Sequence, residues 1–257
     1  MIQIIYIVIE SIRDMFYIDK IDNFDLILFG SAAKKFFPCQ KHKITENNVN
    51  SADTTFNTYS NDNKITVRIY RKEEMIKVLI HEVIHVTKCE RVITETFKNI
   101  FNVSVDLLTG ESITEALATF INCGLCALMN SSDYGKYQEL LQKELDFGIL
   151  QTAKILDHFG FTSMNDFLTN KTKKIDQGTA VFEYHILKTI LLYRFDEFIR
   201  ILKDNNNNKF KAIVLETIQD IKFQEQINKH IKNIKNIDLI PKSVMCTFRM
   251  TINQIKI

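Results

Sequence analysis

The sequence predicts an α+β fold that is mostly α-helical. Three observations carry that prediction. The 257 residues hold only 7 glycines and 2 prolines, too little punctuation for a sandwich or barrel that turns every 8–12 residues or so. One segment, KITVRIY at 64–70, alternates cleanly, with Ile65, Val67 and Ile69 on one side and Thr66, Arg68 and Tyr70 on the other, the period-2 pattern of a half-buried strand. From residue 72 onward, apolar residues recur at helical spacing nearly to the end.

Taken in order, residues 1–40 mix short apolar runs (Ile4 to Ile9, Leu26 to Phe29) with charges and accommodate a helix and one or two strands. Residues 41–63 are polar without periodicity and read as a loop. The strand 64–70 follows. Helices are then expected over 72–88, 91–102, 112–129, 133–159, 178–202, 209–220 and 223–235, with Asn205 to Asn208 as a solvated connector. The tail from Ser243 to Ile257 is ambiguous between strand and helix. A single domain over 1–257 is expected, with a mixed lobe over 1–105 and a helical lobe over 106–257.

Composition excludes several function classes. At 46% hydrophobic and 25% charged the chain can bury a core, which rules out wholesale disorder. The net charge of +2 offers no strong field for nucleic acid or anionic lipid. Five irregularly spaced cysteines fit a reducing compartment. The apolar start MIQIIYIVIE lacks a basic flank and falls short of the ~20 residues a spanning helix needs. A soluble, cytoplasmic protein is therefore expected, without nucleic-acid or membrane partners. Lys outnumbers Arg 26 to 7, and Ile (37) and Asn (21) are abundant, the codon signature of an A/T-rich genome such as that of a large DNA virus.

The chemistry is concentrated in His81-Glu82-Val83-Ile84-His85. Residues i and i+4 stack on one helix face, so both imidazoles can reach one cation from adjacent turns. Glu82 is rotated roughly 100° from His81, where it can take a proton from water at the metal. Random placement gives this pattern in roughly 0.8% of chains of this composition. The bland alternative is an amphipathic helix, with Glu74, Lys77 and Lys88 sharing a wet stripe with the two histidines.

A catalytic zinc takes three protein ligands and keeps one open position. GESITEALATF at 110–120 opens a second helix, with Glu115 thirty residues after His85. Glu115 is the preferred third ligand, and Glu111, one turn earlier, the alternative ligand or supporting partner. Ala118 would let this helix approach the first. A competing local role for Glu115 is a capping box with Ser112.

The succession KITVRIY, HEVIH, TEALATF resembles the gluzincin group of HExxH zinc metallopeptidases, over about residues 64–122. The resemblance implies a zincin-like fold with an edge strand that aligns substrate, and KITVRIY would be that strand. It implies one Zn2+ per chain on His81, His85 and Glu115, with Glu82 as catalytic base and a peptide or protein as substrate. It also implies a Tyr or His from a later helix for the developing oxyanion. Tyr184 and His185 are the candidates, ahead of His158 and Arg194. The chain is less similar to metzincins, having Lys88 and Arg91 where their Gly and His stand. The alternative function is an inactive helical interaction protein binding a protein partner. Cys123-Gly124-Leu125-Cys126 lies inside a helix pattern without a second pair, and reads as core. His42 and His230 lie in a polar loop and on a lysine-rich helix, and carry no site.

Overall fold

A computed structural model describes residues 2–18, 21–38, 42–57, 64–94, 97, 100–130, 133–234 and 242–255. The fold is mixed α+β, with a small sheet and helices dominating the rest. A helix, α1 (Ile2–Phe16), leads into strand β1 (Phe24–Ser31), a short helix α2 (Glu46–Val49), and strands β2 (Ala52–Asn57) and β3 (Lys64–Arg71). The sheet order is β1-β3-β2, with β1 parallel and β2 antiparallel to β3.

Two expectations are corrected here. The segment 41–63 is not all loop, because it supplies α2 and β2. The strand over 64–70 forms as expected, and Ile65, Val67 and Ile69 are buried, but it is the central strand. The edge strand beside the histidine helix is β2.

That helix, α3 (Met75–Thr87), packs on β2, β3, α1 and α4 (Thr109–Asn130). Ile76, Leu79, Ile80, Val83 and Ile84 are buried on one side. The stripe expected to be wet is largely interior, since Glu74, Lys77 and His81 are buried as well. Ala118 is fully buried on α4. α4 starts at Thr109, so Ser112 and Glu115 lie inside the helix. Ser112 Oγ donates to the Thr109 carbonyl, and no capping box with Glu115 forms.

Beyond α3, a 3₁₀ turn (Cys89–Val92) stands at the start of the expected helix 91–102, and its other described residues, 93, 94, 97 and 100–102, are not helical, while 95, 96, 98 and 99 lie outside the described residues. Helices α5 (Tyr134–His158) and α6 (Met164–Thr169) follow. The expected helix 178–202 divides into a π-helical turn (Phe182–Leu187), α7 (Lys188–Tyr193) and α8 (Phe195–Lys203). Then come α9 (Asn207–Gln219), α10 (Ile221–Ile234) and α11 (Lys242–Cys246). One hydrophobic cluster runs from Val8 to Met250. Among the described residues, α4 alone is long and apolar enough to cross a membrane, and most of it is buried against other helices. Cys123 and Cys126 are buried, unbridged residues of α4. Cys39 lies outside the described residues.

Candidate metal centre

α3 and α4 bring three donor atoms together. His81 Nε2 and His85 Nε2 are 3.1 Å apart. Glu111 Oε2 lies 3.5 Å from the first and 3.4 Å from the second. Donors about 2.0–2.1 Å from a tetrahedral zinc ion stand roughly 3.3–3.4 Å from one another, so the triangle has the size of one face of such a site. Glu111 Oε2 is buried and makes no hydrogen bond of good geometry. Three Lewis-basic atoms pointing at one another are the arrangement a cation relieves.

The outer nitrogens of both imidazoles are held by carboxylates. His81 Nδ1 is 2.8 Å from Glu115 Oε2, and His85 Nδ1 is 3.4 Å from Glu90 Oε1. Carboxylates in these places favour a proton on Nδ1 and leave each Nε2 as the ligating lone pair. Glu115's other oxygen is ion-paired with Lys77. The preference for Glu115 over Glu111 is thus corrected by geometry. Glu115 sits behind His81, both its oxygens engaged, while Glu111, one turn nearer the helix start, faces both Nε2 atoms.

Glu82 lies outside the donor triangle. Its Oε2 accepts a 2.7 Å hydrogen bond from Thr54 Oγ1 on β2, so the edge strand orients the carboxylate. Burial raises the Glu82 carboxyl above its ordinary range, against the pull of His81, His85 and Thr54. Burial works against charge on His81, but the Glu111 and Glu115 carboxylates facing its two ring nitrogens outweigh it and raise that imidazole. In the same way Glu111 and Glu90 overcome burial at His85 and lift it to about 10. The two histidines in turn hold Glu111 well below the usual carboxylate range, in spite of its burial. The cluster is built to hold positive charge, as protons or as a cation.

These groups line a cleft of about 630 Å³ bordered by β2, the 3₁₀ turn and the start of α4, within the size range of ligand sites. Tyr184 reaches it from the π-helical turn. Its ring is 5.9 Å from that of His81, and the Glu111 carboxylate acts on its phenol. Burial and the surrounding carboxylates keep the phenol protonated, hence a donor. His185 does not reach the cleft. It is fully buried, stacked 4.5 Å from Phe248, and burial holds it well below its ordinary pKa. His158 is bonded to the His42 carbonyl, and neither it nor Arg194 lines the cleft.

Thr54, Lys77 and Glu90 were not singled out by sequence as parts of a site. Thr54 lies in a segment read as loop, and Lys77 read as a wet-face lysine. Glu90 had one local signal, an acid five residues past His85 in a turn short enough to fold back on it.

No family model matches the chain, and no solved structure matches it. A similar sequence is the uncharacterized protein R210 of Acanthamoeba polyphaga mimivirus, 28% identical over 183 residues. The match covers 65% of this chain and 47% of the viral protein, so the chain spans about half the length of this curated relative.

Proposed function

We propose that the chain is a zinc-dependent peptidase of the gluzincin type, with a zincin-like arrangement of β2, α3 and α4. The observation that carries this reading is the Nε2, Nε2, Oε2 triangle of His81, His85 and Glu111, flanked by Glu82, which is free of it. When bound, zinc supplies the Lewis acidity that brings the pKa of water toward neutrality. His81, His85 and Glu111 would hold the ion, and Glu115 and Glu90 fix the two imidazoles.

The remaining work falls to the chain's own groups. Glu82, tethered to Thr54, accepts the proton of the attacking water and passes it to the leaving amine. Its burial favours proton uptake nearer neutral pH than an exposed carboxylate would allow. Tyr184, kept protonated beside the cleft, donates to the oxygen that becomes negative in the transition state. β2 is an antiparallel edge strand along the cleft, and an extended peptide can pair with its free side.

Elemental mass spectrometry of the purified protein tests the metal. The expected result is one zinc per chain, retained in Glu82→Gln and lost in His81→Ala. Incubation with a peptide mixture, read by mass spectrometry, tests the chemistry. Glu82→Gln is expected to slow cleavage by about 10²–10⁴-fold. A stably folded wild-type protein without metal overturns the proposal. Zinc binding with no cleavage by the wild type favours the inactive interaction protein.

A further inference from the structure

Lys77 stands one turn before His81 on α3, and the reaction described above gives it no task. Its side chain is 1% exposed, and that of its partner Glu115 is 0%. Burying such a pair costs desolvation that apolar residues of equal size avoid, so the pair is not explained by stability alone.

The connections run in one direction. Lys77 Nζ is ion-paired with Glu115 Oε1. Glu115 Oε2 meets His81 Nδ1 at 2.8 Å. His81 Nε2 belongs to the donor triangle. A carboxylate held at one oxygen only can rotate about its Cγ–Cδ bond. Held at both, it keeps its plane, and the imidazole it meets keeps its own. His85 offers an internal comparison. Among the described residues, its carboxylate partner Glu90 leaves Oε2 without a hydrogen bond, has Arg91 at 3.7 Å as its cation, and stands 3.4 Å from Nδ1. The histidine whose carboxylate is anchored by a buried lysine is the one held at 2.8 Å. Lys77 also offsets one of the carboxylates gathered here, since Glu82, Glu111 and Glu115 all surround His81.

We propose that Lys77 is a positioning residue for the metal ligand His81, acting through Glu115. The inference rests on the zinc reading above and assigns a role to a residue that touches neither ion nor substrate. Because Lys77 and His81 are i and i+4 on one helix, α3 supplies both the ligand and the clamp on that ligand's partner. A purely structural lysine would tie α3 to α4 beside Met250, whose Sδ is 3.9 Å from Nζ, and would leave metal affinity alone.

The experiment measures Zn(II) and Co(II) dissociation constants by competition with a chromophoric chelator, together with the Co(II) absorption spectrum. The proteins are wild type, Lys77→Met, Glu115→Gln and the double variant, which removes both charges and so keeps a folded protein if the single variants do not fold. Affinity is expected to fall about 10–100-fold in Lys77→Met, as for loss of an outer partner of a metal ligand, with an altered Co(II) band. The double variant is expected to lose no more than Glu115→Gln alone, because the two residues act in one chain. Wild-type affinity and spectrum in Lys77→Met overturn the inference. So does a double-variant loss equal to the sum of the two single losses. Where Lys77→Met does not fold, wild-type affinity in the double variant overturns it. A wild-type protein that binds neither metal overturns the zinc reading itself, which is a different failure.

Discussion

Glu111 and Glu115 are one turn apart on α4, yet their surroundings assign them opposite costs. Glu111 has 23% of its side chain exposed and faces the two histidines. Glu115 is fully enclosed with Lys77. In metal-free protein, Glu115→Gln is expected to cost about 3–5 kcal/mol, because it strands a buried ammonium. Glu111→Gln is expected to cost clearly less and to abolish zinc binding outright. Urea unfolding in the presence of a chelator measures the first effect, and metal content the second. The reverse order of stabilities would mean that Glu115, not Glu111, is the residue poised for the ion. His81, Glu82 and His85 were legible in sequence because helical spacing alone puts the two imidazoles on one face. The choice between the two glutamates was not legible. It depends on where α4 begins and on the partner across from each carboxylate, and Lys77 looks like any surface lysine until α4 and the tail close over it.

At the scale of elements, β2 escaped notice because an edge strand has one hydrogen-bonded neighbour and can stay polar. Asp53, Thr54, Thr55 and Asn57 leave little apolar alternation around Phe56. The expected helix 178–202 is interrupted by the π-helical turn at Phe182–Leu187. Such a turn carries an extra residue and rotates side chains relative to an α-helix, and it recurs at functional sites. Here it sends Tyr184 to the cleft and His185 to Phe248. The turn is continuous with α7, which lies close against α5 at Gly148. A Cβ built on Gly148 would stand 2.5 Å from Thr189 Oγ1. Gly148→Ala is therefore expected to destabilise by about 1–3 kcal/mol through overpacking, in spite of the roughly 1 kcal/mol that alanine contributes in a helix interior. Adding Thr189→Ala should recover most of the loss. A Gly148→Ala protein as stable as wild type in urea would show that α5 and α7 can separate at no cost.

Over the whole molecule, the tail that the sequence left ambiguous between strand and helix is a short helix, α11, followed by chain outside helix and strand that buries Phe248, Met250 and Thr251 and leaves Ile252 exposed. Phe248 and Thr251 are fully buried. Buried chain without a ladder must find other partners for its peptide groups, and side chains of α5, of α7 and of Glu74, the residue that caps α3, supply them. Lys154 donates to the Thr247 carbonyl at 2.5 Å, and Lys188 to that of Met250 at 2.5 Å. Glu74 accepts from the Thr251 amide, and Glu144 from those of Ile252 and Asn253. Each of these side chains reads in sequence as an exposed helix charge, which is why the tail's course was hidden. Lys154 gives this clamp a pH signature. Burial lowers its pKa from the usual 10.5 to about 7, although the Phe37 ring 4.8 Å from Nζ favours the charged form. Between those values the unfolded chain holds a proton that the folded protein does not, so stability rises with pH across that window and levels off below it. Neutral Lys154 still has N–H groups to donate to Thr247. Urea unfolding of metal-free wild type and Lys154→Met, compared from about pH 6 to 9.5, isolates the effect, because other titrating groups cancel in the difference. The wild type should gain stability relative to the variant as pH rises above about 7. A flat difference would mean that Lys154 stays charged in the folded protein and that its ammonium, with Phe37 and the Thr247 carbonyl, is what holds the tail against α5.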